Sequence, residues 1–110
     1  MKVEEKGHTT TVKDTQGNAE AFLMKLTHEH KTFENRNLIL DVSADKTLTL
    51  KTIQQFKSLS KTHRKGKKSF VIVAEGIDFT AVPESLVVVP TILEAHDMIE
   101  MEEIERDLGF

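Results

Sequence analysis

The chain has five histidines, no cysteine and no glycine-rich phosphate loop, which together narrow the chemistry open to it. His28 and His30 stand two apart in His28-Glu29-His30, a spacing that invites a metal site. On a helix, residues two apart point about 200° from each other and cannot grip one ion together, so these histidines are expected to be solvated near a helix end. His63 and His96 stand alone in sequence, with no serine or cysteine nucleophile motif beside them, and read as structural or surface side chains. Without cysteine there are no disulfides, thiolate nucleophiles or cysteine zinc sites, a usage that fits a reducing compartment. Gly7, Gly17, Gly66, Gly76 and Gly109 are too scattered for a Walker or dinucleotide motif. The expectation is therefore no catalytic constellation, no metal and no cofactor.

Charge is the more informative feature. Residues 46 to 68 carry Lys46, Lys51, Lys57, Lys61, Arg64, Lys65, Lys67 and Lys68 with no acid among them. On a helix, Lys57, Lys61, Arg64 and Lys65 form a stripe beside Ile53, Phe56 and Leu59, and with Lys67 and Lys68 they make a basic surface that could bind the phosphates of a nucleic acid. Phe56 is the one nearby aromatic and falls on the apolar side, so base stacking has little to work with. After Pro90 the balance reverses, with seven carboxylates and the single cation Arg106. Such acids could form an acid/base pair or a Mg²⁺ site only in a cleft, and nothing in the sequence argues for one. They are better suited to complement a basic surface on a second copy or a different protein. Screening limits that attraction to about 8 Å at physiological salt, so affinity must come from apolar groups. Met98, Met101, Ile104, Leu108 and Phe110 could supply it by docking in a partner's groove, or could pack on their own domain.

The elements that position these residues can be read from periodicity. With 110 residues, 38% apolar and 30% charged, the chain is expected to form one soluble domain over 1–110. It has no apolar run near the ~20 residues that span a bilayer and no secretory signal in its opening residues, so a cytoplasmic location is expected. Residues 1–14 read as a hairpin about Gly7, and residues 18–33 as an amphipathic helix begun by Asn18. The continuous apolar runs at 38–42, 70–74 and 86–89 predict strands covered on both faces, as in a parallel sheet. A sixteen-residue helix is expected over 49–64 with Gly66 as its C-cap, and a turn or short helix between the last two strands. Thr91 with Glu94 three residues on begins the closing helix. On that helix Ile92, Ala95 and Ile99 share one face, whereas Met101, Ile104 and Leu108 lie more than a quarter-turn away. Either the helix bends near Glu100 or its last two turns leave the domain.

The fold class expected is therefore α/β, a mixed and mostly parallel sheet with an N-terminal hairpin, in the order β-β-α-β-α-β-(short α)-β-α. That order, with "NLILDVS" leading to a helix and "GKKSFVIVA" after it, resembles the STAS family of sulfate transporters and anti-sigma-factor antagonists. The resemblance is one of pattern over nearly the whole chain. In that family the third strand enters an Asp-Ser-Ser-Gly-like turn, whose serine opens the next helix and is phosphorylated by an anti-sigma kinase. Here the turn reads "SADKTLTLKTI", without Asp-Ser or Gly, and Thr49 falls nearest the serine's place, with Thr47 and Thr52 beside it. A phosphate on a hydroxyl at a helix start would meet free backbone N–H groups. The chain also resembles short bacterial proteins labelled ribonuclease Z, a label implying a His-x-His-x-Asp-His metal motif. Of that motif it has only His28-Glu29-His30, followed by Lys31 and Thr32. The expected function is a non-enzymatic regulatory module of the bacterial cytosol, gated by phosphorylation near Thr49. Its partner would be another protein, such as an anti-sigma-type kinase, or a second copy. The alternative is a nucleic-acid-binding accessory protein using residues 57–68.

Overall fold

Strands made wholly of Leu, Ile, Val and Phe have no face to offer water, so they must lie between two layers. The computed structural model, which describes residues 1–109, places them so. Its elements are β1 (Lys2–Lys6), β2 (Thr9–Lys13), α1 (Ala19–Phe33), β3 (Asn37–Asp41), α2 (Leu50–Gln54), α3 (Lys57–Lys65), β4 (Phe70–Val73), a 3₁₀ turn (Phe79–Ala81), β5 (Val87–Val89) and α4 (Ile92–Asp107). The five strands lie in chain order, β1 antiparallel to β2 and every later pair parallel. This is the mixed, mostly parallel α/β sheet expected.

Because each parallel crossover steps the same way across the sheet, right-handed connections must put their helices on one face. Phe22, Leu26 and Phe33 of α1, Ile53 of α2, and Phe56 and Leu59 accordingly pack with Val12, Leu38, Leu40, Phe70 and Ile72. The alternate strand residues Ile39, Val71 and Val73 point to the other face and meet Ala95 and Ile99 of α4. Asn18 caps α1 by accepting the Ala21 N–H at 3.1 Å. Thr91 caps α4 by accepting the Glu94 N–H at the same distance.

Two expectations are corrected. The helix expected over 49–64 is broken: at Gln55 and Phe56 the backbone N–H groups bond three residues back, to Thr52 (3.1 Å) and Ile53 (3.0 Å). Tightening here lets Ile53 and Phe56 both reach the core, where neither is exposed, a tertiary gain that outweighs regular helix geometry. The strand over 86–89 is only partly covered, Val87 and Val89 packing toward α4 and Val88 toward the opposite layer. Only Leu86 is buried, whereas Val87, Val88 and Val89 form a half-exposed edge paired to β4 alone. Gly66 is the C-cap of α3, as expected, and Lys67 beyond it takes the left-handed conformation (φ 63°).

At the C-terminal ends of the strands, Asp45 ties two connections together. One oxygen accepts the Ala19 N–H at the start of α1 (2.9 Å), and the other accepts the Thr47 N–H (2.9 Å) and hydroxyl (2.8 Å). The Ala19 N–H is the chief cause that holds this carboxyl below its ordinary value, the Thr47 bonds assisting against the cost of burial. With the folded value below the unfolded one, the stabilisation is complete above the ordinary carboxylate range and is lost as pH falls through the folded value. Asp45→Asn should thus lose about 1–2 kcal/mol near neutral pH. In urea unfolding at neutral and strongly acidic pH, the gap to the unsubstituted protein should close in acid. A gap of equal size at both would contradict this role.

Candidate functional site

Two helices hold the charge that the sequence set apart; they cover opposite faces of the sheet and are joined by one ion pair. α3 presents Lys57, Lys61 and Lys65 to solvent at four-residue spacing, with Lys67 exposed and Lys68 half-buried beyond it. Arg64 turns away from that stripe. It donates to the Phe70 carbonyl at 3.0 Å and pairs with Glu102 of α4 at 3.3 Å. Both partners of the pair are mostly shielded, with side chains 30% and 19% exposed. Shielding of that degree weakens salt screening of the pair while costing both charges hydration.

The same polar fastening continues along α4. Asn37, buried at the head of β3, donates to Glu103 (3.2 Å), while its side-chain oxygen accepts the Ser69 N–H (2.9 Å) and an Arg106 N–H (3.4 Å). Arg106 also donates to the Ser69 hydroxyl at 3.1 Å. Glu102, Glu103 and Arg106 therefore face the domain, and α4 runs unbroken to Asp107. Its last turns do not leave the domain, contrary to one of the two expectations, nor is a break at Glu100 needed, since polar rather than apolar groups hold them.

With its polar side inward, the end of α4 carries its apolar side outward. Met101, Ile104 and Leu108 are 59%, 59% and 66% exposed, and Leu93, near the start of the helix, is 72% exposed. Projected at 100° per residue, these four lie within about a quarter of the helix circumference. Asp97 and Glu100 are exposed within or beside the strip, and Glu94, Glu105 and Asp107 are exposed at its margins. Met98, by contrast, packs against the smaller core cluster. Phe110 lies outside the described residues.

The remaining candidates are placed as follows. Thr49 is exposed and caps α2, its oxygen accepting the Thr52 N–H at 3.3 Å, with the two hydroxyls 3.2 Å apart. Thr47 already shares its hydroxyl with the Asp45 carboxylate. His28 is exposed, and His96 is half-buried in a groove of about 410 Å³ between α4 and the outer strands. Among the described residues no three His, Asp or Glu side chains gather as a metal set, and no helix is long and apolar enough to cross a membrane.

His30 differs from its expected solvated state. Its Nε2 lies 2.8 Å from Nδ1 of the buried His63, whose Nε2 lies 2.7 Å from the Arg36 carbonyl. A carbonyl can only accept, so His63 carries its proton on Nε2 and accepts from His30. Sequence reasoning missed this relay, and it missed Asn37 and Ser69; a polar residue directly before each apolar run was the available signal. Set against known proteins, the chain matches no protein-family model and no curated protein.

Burial is the main cause that lowers His63 from 6.5 to about 4; the Arg36 carbonyl works the other way, and His30, Arg64 and Lys68 add to the lowering. The folded value is the lower one, so stability is complete above 6.5 and falls as pH drops from there to about 4. The full loss is on the order of 3 kcal/mol. Denaturant midpoints across this window should decline for the unsubstituted protein and change much less for His63→Gln. Parallel declines in both would show that another group titrates.

Proposed function

We propose that the chain is a non-enzymatic, STAS-like protein-interaction module whose closing helix docks a partner protein bearing an apolar strip flanked by Lys and Arg. The observation that carries this reading is the roll of α4: Glu102, Glu103 and Arg106 are spent on the domain, while Leu93, Met101, Ile104 and Leu108 face outward. A helix with apolar residues at these spacings is suited to lie against another helix or in a groove. The five exposed acids along the strip and its margins decide the sign of the partner. Against a second copy of α4 they would meet their like, whereas a basic rim would gain both rate of approach and orientation. The order of elements, with its opening hairpin and parallel remainder, supports the STAS-like assignment.

A synthetic helical peptide with leucines on one face and lysines flanking them is the direct probe, read by fluorescence anisotropy. It should bind, and the same peptide with glutamates should not. Changing Met101, Ile104 and Leu108 together to Gln should weaken binding at least about tenfold without lowering the melting temperature. Equal binding of both peptides, or no effect of the triple change, contradicts the reading. Light scattering should find a monomer; a dimer abolished by the triple change would replace the foreign partner by a second copy.

Gating is assigned to Thr49. Its hydroxyl is exposed between Lys46 and Lys51, whereas a phosphate on Thr47 would face the Asp45 carboxylate. Intact mass of the protein purified from its own cells should show one added phosphoryl group, lost on Thr49→Ala. Its absence in every growth state would remove gating and leave docking untouched.

A further inference from the structure

Beside the basic stripe, α3 and the connection entering β5 enclose a second feature that docking through α4 does not use. A groove of about 680 Å³ is lined by Lys57, Ser58, Ser60, Lys61, Lys65 and Ser85, together with the stem of Arg64. That volume is typical of a small-molecule site. Its walls are predominantly apolar, because lysine stems lie along the surface while their ammonium groups reach water.

Two observations give the groove a chemical preference. None of Lys57, Lys61 and Lys65 has an acidic partner among the described residues, and the neighbouring Glu84 is exposed and does not line the groove. At the floor, Ser60 is 1% exposed and its hydroxyl has no hydrogen-bond partner among the described residues. A buried hydroxyl left unpaired is costly, and a helical serine can usually bond a carbonyl one turn back. This one does not, so its O–H is unspent in the fold, and a turn about χ1 would bring it to the groove that the residue lines. Three cations and one free donor around aliphatic walls suit an anion on an apolar body. The groove lacks an aromatic side chain to stack a base.

We infer that this groove binds a phosphate monoester carried on an aliphatic group, with Ser60 and the three lysines holding the phosphate. Such a group exists both as a soluble metabolite and as the headgroup of an anionic lipid.

The probe is octyl phosphate, followed by amide NMR shifts of the isotope-labelled chain. Expected are saturable shifts confined to Ser58–Lys65 and Ser85, with octanol and inorganic phosphate each binding far more weakly. Ser60→Ala should weaken binding about fivefold while leaving the melting temperature equal or higher, because the lost hydroxyl has no partner in the fold. Lys61→Gln with Lys65→Gln should weaken it at least about tenfold. Vesicles containing phosphatidic acid separate the sources: binding to them as well as to octyl phosphate identifies a lipid headgroup, and binding to octyl phosphate alone a soluble ester. A stabilised Ser60→Ala with unchanged affinity would overturn the site. So would vesicle binding with octyl phosphate silent, or an RNA oligonucleotide that binds more tightly than octyl phosphate and is indifferent to Ser60.

Discussion

The ion pair between Arg64 and Glu102 is the contact on which the rest of the surface depends. It spans 38 residues of sequence and joins the two most oppositely charged helices of the chain. By taking Arg64 out of the lysine stripe and Glu102 out of the acidic tail, it fixes the rotation of α4 about its own axis. Asn37 with Glu103 and Arg106 with Ser69 repeat the same logic one turn apart. Once three polar side chains are committed inward, helical geometry leaves Met101, Ile104 and Leu108 no direction but outward. Their exposure is therefore a consequence of polar pairing and not of a loose or frayed end.

This arrangement inverts the usual amphipathic rule only locally. In its first two turns α4 buries Ala95 and Ile99 against Ile39, Val71 and Val73 as any covering helix does. Beyond Ile99 the sheet beneath ends, and the neighbours become Asn37, Ser69 and Arg64, all polar. The change of lining under the helix matches the change of face along it. On the opposite layer no such switch occurs: α1, α2 and α3 share one continuous apolar cluster with the strands.

Much of this was legible in the residues. Continuous apolar runs announced β3 and β4, and Asn18 and Thr91 announced two helix starts, because those signals act over a few residues. The break at Gln55 was not legible, since it follows from Ile53 and Phe56 both reaching the sheet. The run at 86–89 misled because an edge strand covered in part by α4 has the same composition as an interior one. Two faces of the closing helix could be told apart, but which one turns inward depends on Asn37 and Ser69, which lie 66 and 37 residues from the partners they hold. Ser60 carried no signal at all. A serine one turn after Phe56 reads as the edge of an apolar stripe, and only the absence of a bonding partner distinguishes it.

Because the chain contains no cysteine, single cysteines report on α4 without background. Thiol labelling of Ile104→Cys in the folded monomer, compared with Ala95→Cys, measures which side of the helix faces water. The roll described here predicts that the Ile104→Cys variant is modified at close to the rate of an unstructured peptide, and the Ala95→Cys variant only as fast as the chain unfolds. Comparable protection in both variants would mean that the apolar strip is covered by its own domain, and the docking role would have to be abandoned.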